Sequence, residues 1–253
     1  MKKIIYTLIF FCLLVTNAVA QKAIGQWNTY LSYYSTNLVA EGNHKHVKDV
    51  FWELASLRIW VSSIICFLIY KLGTSFIILW VGEEFVLEQS SFILLIAITF
   101  IGLTRVGDPF LAAYGLCHDV WAPVAEAILN LGLSVVLGYF YGLTGILSGV
   151  LISLLLIVYS WKPYFLYHFG FKDNFREYIL KYLKILLPLL ISFFSVSFWG
   201  DRLFDTSLSS YREWILYAVE IFILYILISC LLLAVFDNGM RACLKRFYFL
   251  IHR

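Results

Sequence analysis

The chain has 253 residues, of which 62% are hydrophobic, 19% aromatic and only 14% charged, with a formal net charge of +3. A soluble domain carries roughly 45–50% apolar and about 25% charged residues, and so few charges could not cover a water-facing surface of this size. The figures exclude a disordered chain, a disulfide scaffold and a typical nucleic-acid binder, and they point to an integral membrane protein.

Residues 1–20 have the form of a secretory signal peptide. Lys2 and Lys3 supply the positive start, Ile4 to Val15 the apolar stretch, and Ala18-Val19-Ala20 before Gln21 a small-x-small cleavage site. Thr16 and Asn17 end the apolar run before it could span a bilayer. Residues 21–45 then mix aromatic and polar side chains, a mixture that predicts an extended segment around Gln26–Ser35 rather than a domain of its own. The signal-like start followed by Ile24-Gly25-Gln26-Trp27-Asn28-Thr29-Tyr30-Leu31-Ser32-Tyr33-Tyr34-Ser35-Thr36-Asn37-Leu38-Val39-Ala40-Glu41-Gly42-Asn43 resembles the beginning of secreted β-propeller proteins of Bacteroidetes, including those associated with type IX secretion. The resemblance stops at His44-Lys45-His46-Val47-Lys48, which leads into membrane sequence.

The body, residues 46–253, contains six apolar runs at about 57–79, 91–115, 119–141, 143–163, 180–199 and 214–236. Each has the roughly 20 residues that carry a helix across about 30 Å of hydrocarbon. Continuous apolar stretches such as Ser153–Val158 and Glu220–Ile228 lack the alternation of a transmembrane barrel, so the predicted fold is an all-α integral membrane bundle of about six helices. If the runs alternate in direction, twelve cations share one side, among them Lys48, Arg58, Lys162, Lys172, Arg176, Lys181, Lys184 and Arg241. Arg202 and Arg212 lie on the other side, with the acidic loop of Glu83, Glu84 and Glu88. That asymmetry predicts a cytoplasmic C-terminus. A cleaved signal would instead leave residues 21–50 outside and force the first run to enter from the wrong side. Front and body therefore disagree, and the chain reads as a mosaic joined near Asn43–Lys48.

Several residues of the body could carry chemistry. Glu126, Asn130 and Ser134 are spaced by four and so share one helix face. They form either a polar cavity wall or, for Glu126 just past Pro123, an acidic helix start at the interface. Arg105 and Asp108 are three apart beside Pro109, suited to pairing across a bend; the alternative is that Arg105 meets a phosphate, which a guanidinium binds bidentately. Lys71 sits deep in the first run, either facing a wet cavity or marking a shorter helix followed by an interfacial Phe76–Val81 segment. Glu220 in the last run is either structural or an ion-coupling carboxylate. Gly138, Gly142, Gly145 and Gly149 suggest close helix packing around a tight turn. Trp52, Trp60, Trp80, Trp121, Trp161, Trp199 and Trp214 read as interfacial anchors. The five cysteines form no metal-spaced cluster, and the sequence implies no catalytic residue, metal or cofactor.

Three passages in succession carry a second resemblance: Ile78-Leu79-Trp80-Val81-Gly82-Glu83-Glu84-Phe85, then Ala122-Pro123-Val124-Ala125-Glu126-Ala127-Ile128-Leu129-Asn130-Leu131-Gly132-Leu133-Ser134, then Gly138-Tyr139-Phe140-Tyr141-Gly142-Leu143-Thr144-Gly145-Ile146-Leu147-Ser148-Gly149. This order resembles the C-terminal half of polysaccharide-biosynthesis flippases, the O-antigen and exopolysaccharide transporters of the multidrug/oligosaccharidyl-lipid/polysaccharide superfamily. The resemblance implies one lobe of a flippase of roughly 12–14 helices, in which two lobes rock around a central cavity to move a lipid-linked oligosaccharide across the bacterial inner membrane. It implies as partners the lipid bilayer, that oligosaccharide, and a second lobe or a second copy of the chain. On this reading the substrate-cavity candidates are Lys71, Arg105, Asp108, Glu126, Asn130 and Glu220, and no covalent chemistry is involved. An integral-membrane sugar or acyl transferase of a polysaccharide locus is the competing class. It needs paired acids or a His/Asp set at a membrane face, and none stands out. A non-functional membrane fragment is the third possibility.

Overall fold

A computed structural model describes residues 31–116, 121–203 and 210–251. The signal-like segment 1–20 and residues 21–30 lie outside the described residues. Among the described residues all regular structure is helical. The first helix, α1 (residues 31–40), overturns the extended segment expected there for residues 31–35. Its physical basis is a spacing of four and then three that brings Leu31, Ser35 and Leu38 onto one buried face. Ser35 Oγ reaches the Pro109 carbonyl at 3.3 Å. Gly42, at φ +73°, ends the turn in the left-handed conformation that glycine adopts without a Cβ penalty.

Asn43 starts α2 (His44–Trp80), its side-chain oxygen accepting from the His46 N–H at 3.1 Å. At 1.5 Å per residue this helix is about 55 Å long, well beyond the hydrocarbon thickness. It therefore begins a dozen residues before the apolar run at 57–79, and it runs unbroken through Phe76–Trp80, so the shorter-helix alternative for Lys71 does not hold. The early start also places Trp52 and Trp60 inside the bundle rather than at a helix end. Trp52 Nε1 donates to Tyr167 Oη at 2.7 Å and Trp60 Nε1 to Ser229 Oγ at 2.9 Å.

The run expected at 91–115 is interrupted. Its pieces are α3 (Gln89–Leu103) and α4 (Gly107–Ala113), separated at Thr104–Val106. Pro109 has no N–H to continue the α3 ladder and is instead tolerated in the first turn of α4. After α5 (Trp121–Leu154) the helix continues to Phe171, through wide i→i+5 turns at Leu155–Trp161 and Leu166–Phe171 on either side of a short α6 (Lys162–Phe165). Pro163 cannot donate there, and the wider turns absorb the lost hydrogen bond. Then come α7 (Phe175–Leu203), α8 (Tyr211–Phe236) and the amphipathic α9 (Asn238–Ile251).

Among the described residues, five helical segments are long and apolar enough to cross a membrane: His44–Trp80, Gln89–Ala113, Trp121–Phe171, Phe175–Leu203 and Tyr211–Phe236. The third is far longer than a bilayer is thick, and it folds back at Gly142, whose φ of 59° and ψ of −135° lie outside the helical region. Gly149 stands against the backbone of Ser134, and Gly145 against that of Leu137. Pairs whose numbers rise on one arm as they fall on the other define an antiparallel hairpin. Large apolar side chains such as Leu131, Tyr139, Phe194, Leu231 and Val235 are exposed around the outside. In water such a surface would be an aggregation site, whereas in lipid it is the expected exterior.

Helix α2 packs against α3, α7, α8 and α9 and joins two cores. Near its N-terminus Phe51 makes edge contacts with Trp52, Phe110 and Phe171. Nearer its C-terminus Phe67 stacks on Tyr225 at 4.2 Å, beside Val196 and Ile221. The cations collect at the first end. Lys48 binds both Asp173 and Glu177, and Arg246 binds Glu53 at 3.1 Å.

Candidate functional site

The interruption between α3 and α4 builds a polar cleft inside the bundle. Because helix geometry ends at Leu103, that residue's carbonyl is free to accept from Arg58 Nε of α2 at 2.7 Å. Arg58 Nη1 is buried and has no hydrogen-bond partner. Thr104 Oγ1 lies 2.7 Å from Tyr159 Oη, and Tyr182 Oη donates to the same oxygen at 2.6 Å. This hydroxyl chain links the α3 end to the widened helix 155–161 and to α7.

Arg105 and Asp108 do not pair with each other. The three-residue spacing brings side chains together only on a continuous helix, and here the helix breaks between them. Arg105 Nη2 instead meets Glu126 Oε1 at 3.1 Å, and Lys162 Nζ meets Asp108 Oδ1 at 2.9 Å. Arg105, Asp108 and Lys162 line one small cavity of about 40 Å³ with Thr104, Tyr159 and Tyr182. Glu126 is 18% exposed and Lys162 15%, while their partners Arg105 and Asp108 are 30% and 40% exposed, so each bridge joins a largely buried charge to one that is more open. Charges so placed must be matched, since an unpaired one costs several kcal/mol. The charged groups that line the cavity are Arg105, Lys162 and Asp108, with Glu126 bonded to Arg105 and Arg58 bonded to the Leu103 carbonyl.

No family model, curated protein or solved structure matches this chain.

The face shared by Glu126, Asn130 and Ser134 divides between two tasks. Glu126 serves the cleft through Arg105, while Asn130 and Ser134 turn to the hairpin. Ser134 Oγ lies 3.2 Å from Asn130 Oδ1 and 3.1 Å from the Ile146 carbonyl of the opposite arm. Gly138 faces the Ile146 side chain, and Gly142, Gly145 and Gly149 form the turn and the contact line. Lys71 belongs to a separate cluster. Its Nζ meets both oxygens of Asp201 at 2.8 and 2.9 Å and the Ser197 carbonyl at 3.2 Å, while Tyr217 Oη donates to Asp201 at 3.2 Å. Thirteen residues along α2 separate Lys71 from Arg58, about 20 Å. Glu220 is exposed on α8 and joins neither cluster.

Sequence reasoning did not select Arg58, Thr104, Tyr159, Lys162, Tyr182 or Asp201. In the sequence Lys162 and Arg58 stand at the ends of the apolar runs 143–163 and 57–79, where they count as flanking charges of the basic side. The signal that could have found them is the pair Gly107 and Pro109 inside an apolar run, which marks a place where neighbouring polar groups must satisfy a free backbone. Among the described residues no group of three His, Cys, Asp or Glu side chains could hold a metal ion. The cleft can neutralise and hydrogen-bond an anion. It presents guanidinium, ammonium and phenol donors without an adjacent nucleophile–base pair.

Proposed function

We propose that the chain is a helical lobe of a transporter that carries lipid-linked oligosaccharide across the bacterial inner membrane for polysaccharide biosynthesis. The observation that carries this reading is the pair of cross-helix ion bridges, Arg105–Glu126 and Lys162–Asp108, on one cavity inside a bundle of membrane-length helices. Ionisable groups inside a membrane bundle are expensive, and their presence there points to a substrate or ion pathway. The order of the passages around Gly82, Glu126 and Gly142 supports the flippase class within that reading. The basic end of the bundle faces the cytoplasm, with α9 on that side. The mechanism is alternating access without covalent chemistry, so a second lobe or a second copy of the chain completes the cavity.

The test is rescue of surface polysaccharide in a flippase-deficient strain. The chain expressed with a separate N-terminal flippase lobe, or alone as a dimer, should restore the polymer. Arg105→Gln with Lys162→Gln should abolish rescue while inserting in the membrane at normal abundance. Absence of rescue in both arrangements, with the protein present in the membrane, would retire the reading.

A further inference from the structure

We propose that the hollow between the basic ends of α2 and α7 and the turn from α8 to α9 binds the headgroup of a phosphatidylethanolamine. The phosphate lies on Lys184 and Arg241 and the ammonium on Asp49. The inference uses the membrane setting of the bundle and goes beyond the transport reading, on which it does not depend.

The hollow measures about 480 Å³, the size of a small-ligand site. Among the described residues Trp52 alone lines both this hollow and the α3–α4 cavity, so its indole stands between the two. Two grooves of similar volume, one between α2 and α8 and one among α2, α3, α5 and α7, carry no charged side chain. The hollow at the basic end is lined instead by the carboxylates of Asp49, Glu53 and Asp237 and by the cations Lys181, Lys184 and Arg241.

The charges that are not yet engaged decide the ligand. Glu53 holds Arg246 at 3.1 Å, and Lys181 holds Glu177 at 3.0 Å. Asp237, 9% exposed, accepts from the Met240 N–H at 2.7 Å. Among the described residues Asp49 and Lys184 form no ion pair, and both are exposed. The Arg241 side chain engages only its Nε, which donates to the Asp237 carbonyl at 3.4 Å. One carboxylate, one ammonium and the outer part of one guanidinium are therefore free. A ligand that uses all three carries an anion and a cation a few bonds apart. A phosphate diester accepts from Lys184 and Arg241, and a primary ammonium donates to Asp49.

Phe236 makes that zwitterion part of a lipid. It lines the hollow, is exposed, and closes a helix of membrane length. On α7, which starts at the basic end, Leu187 and Ile191 follow Lys184 at spacings of three and four. They continue the Lys184 face toward the hydrocarbon, and both are exposed. A headgroup held in the hollow thus has its acyl chains against Phe236, Leu187 and Ile191, on the outer surface of the bundle.

The experiment uses the full chain in detergent and reads equilibrium binding by native mass spectrometry. The probes are dioleoyl phosphatidylethanolamine, dioleoyl phosphatidylglycerol, dioleoyl phosphatidylcholine and free phosphoethanolamine. Phosphatidylethanolamine should bind about fivefold more tightly than phosphatidylglycerol, which has no ammonium, the upper end of what an exposed ion pair supplies. It should also exceed phosphatidylcholine, whose methylated nitrogen has no N–H to donate to Asp49. Asp49→Asn should erase the preference over phosphatidylglycerol. Lys184→Gln with Arg241→Gln should weaken both lipids alike, and Lys45→Gln, exposed on α2 outside the hollow, should change neither. Equal binding of the three lipids, or a preference that survives Asp49→Asn, would overturn the proposal. Phosphoethanolamine binding as tightly as the whole lipid would assign the hollow to a soluble zwitterion and overturn it as well. A phosphatidylethanolamine bearing a diazirine near the start of one acyl chain gives a second readout in the unaltered protein. Labelling of Leu187, Ile191 or Phe236 supports the site, and labelling confined to Leu68 and Phe222 refutes it.

Discussion

Lys71 and Asp201 join α2 to the end of α7 through both carboxylate oxygens, at 2.8 and 2.9 Å, with the lysine side chain 10% exposed and the aspartate 51%. The unequal burial makes the two partners unequal as mutation sites. Asp201→Leu leaves an ammonium stranded with only the Ser197 carbonyl, while Lys71→Met leaves a carboxylate that water can still reach. Asp201→Leu should lower stability by about 2 kcal/mol and Lys71→Met by clearly less. Thermal unfolding of the detergent-solubilised variants checks the order, and equal losses would show that the pair behaves as an exposed one.

The glycines of the hairpin should separate sharply by position. A Cβ at Gly149 would lie 2.5 Å from the Ser134 backbone nitrogen, which cannot move without parting the two arms. A Cβ at Gly132, on the first arm, meets nothing within 4 Å. Gly149→Ala should therefore sharply reduce folded protein, whereas Gly132→Ala should be neutral or add up to about 1 kcal/mol through helix propensity. Yield of monodisperse protein on size exclusion, followed by unfolding temperature, measures both.

Much of this architecture is legible in the sequence, because membrane helices declare themselves by uninterrupted apolar length. The turn at Gly142 was legible too, since small residues at 138, 142, 145 and 149 recur at helical spacing. Residues 31–40 were not. Tyr33 and Tyr34 dominate the local composition and suggest a strand, but both are exposed, and the helix is specified by Leu31, Ser35 and Leu38 against Pro109. The cleft was half legible. Arg105, Asp108 and Glu126 stood out as charges in apolar sequence, yet their pairing depended on where α3 breaks, and a break releases the i,i+3 relation on which the sequence argument stood.

The Arg105–Glu126 bridge offers a way to separate folding from function. Arg105→Glu alone places a third carboxylate beside Asp108 and Glu126 and should destabilise the bundle. Adding Glu126→Arg restores opposite charges across the same contact and should recover most of the lost unfolding temperature, a coupling that a double-mutant cycle reads directly. The swapped protein should still fail in polysaccharide rescue, because the cation no longer stands on the α3–α4 break. Recovery of both stability and rescue would make the bridge purely structural.

Cys243 on α9 supplies a chemical reporter at the basic end. Burial raises its thiol pKa above the ordinary value, the nearby Glu53 carboxylate raises it further, and Arg246 opposes both. The thiolate is the species that reacts with maleimide, so at pH 7.4 alkylation should be slower than for a free thiol. The sign of each neighbour then follows. Glu53→Gln removes a negative charge and frees Arg246 from its 3.1 Å bridge, so the thiolate fraction and the alkylation rate should rise. Arg246→Gln removes the favourable cation and should slow the reaction. Because α9 rests on α2, with Gly239 close against the Trp52 carbonyl and Ser56 Oγ, neither substitution should detach it. Opposite rate changes in the two variants would place Cys243 between these charges as the structure has it. A parallel acceleration in both would instead mean that breaking the Glu53–Arg246 bridge releases α9 from the bundle.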